Sequence, residues 1–239
     1  MLSPDLKIPE TKGKKPDIPK EVQIGDIIVG KYTKSEWSRI LPWEDWDHSA
    51  LVANINPLII VEASGIIIQK EDKKRGKQKI REGIVEYEFL KPRTVKMIDG
   101  TDNIDGNLWL KDSMREILWL HPVFPNPLRE IDNWETSWKD RKIITETEAR
   151  KRAVEYARNQ LGEPFKLSMF RSKKSSASKW DENEWYCSLL VFKSYSRTVT
   201  NMYLESYEPS SGFFVTPEDL VQSKRSAIYH HWKNQKYHS

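Results

Sequence analysis

His48-Ser49-Ala50-Leu51-Val52-Ala53-Asn54-Ile55-Asn56-Pro57-Leu58-Ile59-Ile60-Val61-Glu62-Ala63 holds two short apolar, β-branched runs joined by Asn-Pro. Runs of this length, separated by turn residues, read as two antiparallel strands. Each run carries one residue that apolar packing does not explain. His48 opens the first at the rim of a Trp-rich loop, and Glu62 interrupts the second. A carboxylate inside so apolar a strand is costly to bury unless it is partnered. Residues near these two positions are neighbours in an antiparallel pair. His48 is therefore the candidate partner of Glu62, as a structural pair or as base and orienter.

Further strands flank this pair. Ile24-Gly25-Asp26-Ile27-Ile28-Val29-Gly30 reads as a turn feeding a strand, and Gly65–Gln69 as the next strand along. Gly83–Phe89 alternates with period two, Arg115–His121 is a strand ended by Pro122, and Ala227–Trp232 is a final strand. Helices come later. Thr145-Glu146-Thr147-Glu148 fits a capping box; Ala149, Ala153, Tyr156, Ala157 and Leu161 recur at helical spacing, and Gly162 with Pro164 stops the run. A second helix is predicted from about Ser188 to Arg197, and a short one begins at Thr216-Pro217-Glu218-Asp219-Leu220. Strands first and helices later predict one α+β domain over residues 22–239. Residues 1–21 read as an extended arm, because their prolines and lysines leave little to pack. The basic stretch Lys70–Arg81 reads as a solvated hairpin tip or loop, and residues 164–184 as a Ser/Lys-rich loop. The segment from about 99 to 144, with Trp109, Trp119, Trp134 and Trp138, shows no motif; it reads as inserted packing in preference to a lid or cleft wall.

Composition excludes several classes. Ten Trp, nine Tyr and seven Phe in 239 residues argue for a folded chain. A net charge of +4, left from 39 basic and 35 acidic residues, is too balanced to point to nucleic acid. No run approaches the roughly 20 apolar residues of a membrane span, and the first residues lack a signal-type apolar stretch, so the chain reads as soluble. The single cysteine rules out an internal disulfide and the familiar multi-cysteine zinc sites.

That cysteine, Cys187, stands in Glu184-Trp185-Tyr186-Cys187-Ser188-Leu189-Leu190-Val191-Phe192, where a polar loop turns into an apolar helical run. A helix start favours the thiolate, the reactive form of the side chain. The residue is either inert core filling or a nucleophile, and a nucleophile needs an imidazole base with a polar group to hold it. Among the five histidines, His48 with Glu62 meets that need. His121 reads as a surface or hydrogen-bonded residue, and the adjacent His230 and His231 would point to opposite faces of a strand, a poor metal site. Neither a metal nor an organic cofactor is expected.

Six segments, Gly25-Asp26-Ile27-Ile28, His48-Ser49-Ala50-Leu51-Val52, Val61-Glu62-Ala63, Leu161-Gly162-Glu163-Pro164-Phe165, Tyr186-Cys187-Ser188-Leu189-Leu190-Val191 and Thr216-Pro217-Glu218-Asp219-Leu220, come in this order. The series resembles the YiiX/YebB-like, circularly permuted branch of the NlpC-type papain-like cysteine hydrolases. It covers roughly residues 22–70 and 150–225, with the histidine strand ahead of the cysteine helix, as in the permuted order. The resemblance implies an antiparallel sheet packed against helices, with the cysteine at a helix N-terminus. It further implies Cys187 as nucleophile, His48 as base and Glu62 as the residue that orients the imidazole. The Cys187 backbone N–H would be one oxyanion donor, and the second lies open between Tyr32 and Tyr186. Gly25-Asp26 is expected to be structural. The implied substrate is a small or cell-wall-type peptide, or another amide-containing small molecule, with Trp37, Trp43 and Trp46 as candidates for the cleft rim or for loop packing. Leu189 departs from the family pattern, which often has a polar residue there. Two other readings stand beside this one. The first is a lipid acyltransferase or thioesterase using the same triad, and the second is a non-catalytic binding module on the same fold.

Overall fold

The two runs around Asn56-Pro57 form strands β3 (His48–Ile55) and β4 (Leu58–Asp72), paired antiparallel with Leu51 opposite Val61 and Val52 opposite Ile60. The computed structural model describes residues 8–33, 45–72, 76–96, 102–103, 106–166, 179, 185–206 and 214–237. Four further strands extend the sheet: β2 (Ile27–Tyr32), β5 (Gly76–Glu88), β8 (Met114–Pro122) and β9 (Ser226–Asn234). With β1 (Glu10–Gly13) they make a seven-stranded sheet in the order β1-β9-β8-β2-β3-β4-β5, antiparallel except for the β1–β9 pair. Strands β6 (Val95–Lys96) and β7 (Asp102–Asn103) form a separate two-stranded ribbon.

Because strand side chains alternate, the sheet has two packed faces. Ile27, Val29, Leu51, Ala53, Val61 and Ala63 join the core that contains the helices. Their neighbours Ile28, Ala50, Val52 and Ile60 join a second core with Phe89, Trp109, Trp119 and Trp232. The helices are α1 (Glu146–Arg158), α2 (Cys187–Ser196) and α3 (Pro217–Gln222). Thr145 and Thr216 each form the capping box expected of them, with Glu148 and Asp219 respectively. All ten residues of α2 are buried. A helix enclosed on every side has no use for a polar face, which accounts for the apolar Leu189.

Three expectations change. The arm is not bare: β1 pairs in parallel with β9, Pro16 and Pro19 are buried, and His230 Nε2 lies 3.1 Å from Asp17 and 3.2 Å from Thr11. Main-chain pairing holds it, and that bonding leaves no side-chain pattern to read. The basic stretch Lys70–Arg81 is the tip of the β4–β5 hairpin, as one of its two readings has it, but it is strand instead of loop over most of its length, since β4 runs to Asp72 and β5 starts at Gly76. Gly65–Gln69 is no separate strand but part of β4, beyond a register shift between Ser64 and Ile67. The Ser/Lys-rich loop lies mostly outside the described residues. The Gly162-Glu163-Pro164 turn docks on β5, where Ile84 N–H donates to Glu163 O at 2.9 Å. Gly83 has φ +94, and a Cβ there would sit 2.2 Å from Glu163 O, so only glycine fits.

Candidate functional site

Extending the β3–β4 register by one residue puts Ala50 opposite Glu62, so His48 and Glu62 are diagonal neighbours on one face. His48 Nε2 lies 2.8 Å from Glu62 Oε2, with His48 6% exposed and Glu62 fully buried. The ring nitrogen not engaged by Glu62 is Nδ1. Cys187 is the first residue of α2 and His48 the first of β3. The Cys187 thiol is close enough to His48 to raise its pKa, through a hydrogen-bond interaction short of well-formed geometry and through charge. The three residues, 139 positions apart at their extremes (187 − 48), thus form one contiguous buried group.

Their electrostatics follow from that contact. Burial disfavours a charged His48 ring, but the Glu62 charge and the hydrogen bonds of the ring with Cys187 and to Glu62 outweigh it and raise the pKa from 6.5 to about 10. Burial pushes Glu62 up, while the His48 charge and donors from His48, Trp109 and Tyr87 bring it below the ordinary carboxylate range. The pair is an imidazolium beside a carboxylate.

Two neighbours escaped the sequence reading. Trp109 donates its indole N–H to Glu62 Oε2 at 2.8 Å, and its ring centroid lies 5.3 Å from that of His48. It sits among several tryptophans in a segment without periodicity, so no sequence signal distinguished it. The Tyr87 hydroxyl approaches Glu62 as a weak donor, short of well-formed geometry, and Glu62 Oε1 has no other partner among the described residues. The acidic residue within an apolar strand was itself the signal that such donors had to exist.

Tyr32 ends β2 just past a register shift in the β2–β8 pairing, an irregularity that re-aims a side chain. Its ring lies 6.4 Å from His48, and its buried hydroxyl has no hydrogen-bond partner among the described residues. Burial, then the charges of Glu62, Asp47 and Cys187, raise its pKa well above the usual value, so it stays a protonated donor. Tyr186, in contrast, accepts a hydrogen bond from Val215 N–H at 3.2 Å and lies in the helix-side core. Trp46 is also a core residue, 9% exposed and edge-on to His231, instead of a rim. Trp37 and Trp43 lie outside the described residues.

Asp26, from the Gly25-Asp26 turn, anchors a separate cluster. Its Oδ1 accepts from Arg150 Nη1 at 2.6 Å and is 2.8 Å from His121 Nδ1, while Oδ2 accepts from Gln23 N–H at 2.8 Å and the Tyr229 hydroxyl at 2.9 Å. This satisfied hub ties β2, β8, β9 and α1 together. Among the described residues, no three His, Cys, Asp or Glu side chains are grouped to hold a metal ion, and no helix is long and apolar enough to cross a membrane. No family model, curated protein or solved structure matches this chain.

Proposed function

We propose that the chain is a cysteine hydrolase that cleaves an amide bond of a small, peptide-like substrate, on a permuted papain-like fold of the NlpC type. The observation that carries this reading is the buried contiguity of Cys187, His48 and Glu62, with the thiol on the first residue of a helix. The proton that His48 holds is the one drawn from the thiol, so the sulfur of this imidazolium–thiolate pair attacks the amide carbonyl to form a tetrahedral adduct. Its oxyanion faces the Cys187 backbone N–H and the Tyr32 hydroxyl. The C–N bond breaks as His48 returns the proton to the leaving amine, leaving a thioester. Water, deprotonated by His48, then attacks the thioester; the acid is released and the imidazolium–thiolate pair is restored. Glu62 holds the imidazole and balances its charge throughout.

The competing reading is a non-catalytic module in which the three residues are a packed polar cluster. It draws on burial, since Cys187 is 2% and His48 6% exposed. Iodoacetamide kinetics separate the two. The hydrolase reading expects Cys187 to be alkylated faster than a free thiol near neutral pH, and His48→Ala to slow this by about a hundredfold. Alkylation at the free-thiol rate, unchanged by His48→Ala, would overturn it.

A further inference from the structure

Glu62 aligns His48 only if the carboxylate is itself held, and the structure assigns that holding to a particular side chain. We propose that Trp109 is the positioning residue of this site: its indole N–H shares Oε2 of Glu62 with His48, fixing the carboxylate so that Nδ1 of the imidazole faces Cys187. The inference rests on the hydrolase reading and specifies what keeps its base aligned.

The geometry is over-determined around this one indole. Two donors, His48 Nε2 and Trp109 Nε1, converge on the same oxygen at 2.8 Å each. The Trp109 ring also lies beside the imidazole at 5.3 Å and 44° and packs against Phe89 at 5.6 Å, which restricts rotation of the His48 ring. The backbone that carries Trp109 is clamped. It belongs to a single 3-10 turn, Leu108–Leu110, capped by Asn107, whose Oδ1 accepts from Trp109 N–H at 3.0 Å. The fully buried Asn107 amide donates in turn to Phe89 O at 2.7 Å and Lys91 O at 2.9 Å. One residue earlier, Gly106 O accepts from Arg93 Nε and Nη2 at 3.2 and 3.1 Å, and Gly106 N–H donates to Arg93 O at 2.7 Å. A Cβ on Gly106 would sit 2.6 Å from that backbone oxygen, so the clamp needs glycine. Gly30, by register opposite His48, supplies the room above: a Cβ there would come within 3.0 Å of the Trp109 ring. Packing alone would ask for a large apolar ring at this place. The indole nitrogen directed at a buried carboxylate, on a turn fixed by three sets of hydrogen bonds, asks for tryptophan.

Trp109→Phe keeps the ring and removes the N–H. Its effect is read from the iodoacetamide rate of Cys187 across the acid range, with urea denaturation followed in parallel. Without the indole donor, Glu62 protonates at higher pH and releases His48 sooner. The expected result is alkylation about tenfold slower on the acid side, with the acid limb moved up by about one pH unit. A lower denaturation midpoint with an unmoved limb would make Trp109 packing only and overturn the assignment. If the variant does not fold, the unaltered chain decides through its Trp109 indole N–H resonance. That signal should lie downfield and titrate with the alkylation rate; an invariant signal while reactivity falls would overturn the assignment. The two readings fail separately. Slow alkylation of the unaltered chain sinks the hydrolase itself, whereas fast alkylation with an unchanged Trp109→Phe profile sinks only the positioning role.

Discussion

Two histidine–carboxylate pairs of the sheet combine a 2.8 Å separation with a fully buried carboxylate, His48–Glu62 and His121–Asp26, and they are built differently. Asp26 receives four donors, and the Arg150 guanidinium answers its charge directly. His121 is therefore one partner among several, stacked on Tyr229 at 3.8 Å. Glu62 has no arginine among its hydrogen-bond partners in the described residues; the guanidinium that acts on Tyr87, Arg93, is committed to Glu82. The cation that balances Glu62 is His48, and the group next along is a thiol. Asp26, with its own arginine, organises structure, whereas in the proposed hydrolase Glu62, which relies on a histidine, governs a proton.

The largest effect should come from removing the structural carboxylate. Asp26→Ala leaves the Arg150 charge, which is 7% exposed, together with the Gln23 N–H and the Tyr229 hydroxyl, unanswered in the interior. Breaking a buried pair in this way costs about 3–5 kcal/mol. Urea denaturation followed by tryptophan fluorescence should register that loss. A loss below about 1 kcal/mol would mean that Asp26 is not the hub that its donors describe.

A smaller effect, with a distinctive pH signature, should follow from Glu62→Gln. The His48 pKa is raised from 6.5 to about 10, so the ring binds its proton more tightly in the folded chain than in the unfolded one. Its contribution to stability is full below about pH 6.5 and drains away as pH climbs through about 10. Glu62, whose pKa is lowered, contributes in the opposite sense: its share is present above its unfolded value and is lost as pH falls through the folded one. The difference in unfolding free energy between the native chain and Glu62→Gln should therefore shrink between neutral pH and about pH 10, by on the order of 2 kcal/mol. A difference that stays constant over that window would show that Glu62 does not hold His48 protonated.

What could be read from the sequence follows from how each feature is encoded. The capping boxes at Thr145 and Thr216 are local and side-chain coded, so they were visible before any coordinates. His48 and Glu62 were visible as polar residues that apolar strands must account for. The register diagonal between them is a short-range consequence of the turn at Asn56-Pro57. The pairing of β1 with β9 was not visible, because main-chain hydrogen bonds leave no residue pattern and the two strands lie at opposite ends of the chain. Trp109 was hidden for another reason. Its role depends on which of several tryptophans points a nitrogen at Glu62, and composition cannot rank them. Trp119 fills the second core, and Trp134 and Trp138 are exposed at 52% and 55%, although all three share the segment with Trp109.

The smallest predicted change is also the one that separates the two pairs most cleanly. Tyr229→Phe deletes one donor from Asp26 while leaving the ring that stacks on His121, just as Trp109→Phe deletes one donor from Glu62. Burial and the Asp26 charge raise the Tyr229 pKa far above its usual value, so its hydroxyl is a donor at every pH at which the protein folds. Losing it should cost about 1–1.5 kcal/mol in urea denaturation, because Oδ2 keeps the Gln23 N–H and Oδ1 keeps Arg150 and His121. The alkylation profile of Cys187 should not move, since no donor to Asp26 reaches the thiol. Matched deletions of one N–H or O–H from two buried carboxylates then give opposite readouts: stability alone at Asp26, and the acid limb of thiol reactivity at Glu62. A shifted limb in Tyr229→Phe would mean that the two pairs are coupled through β2, which Asp26 immediately precedes and Tyr32 ends, and that the structural hub also tunes the site.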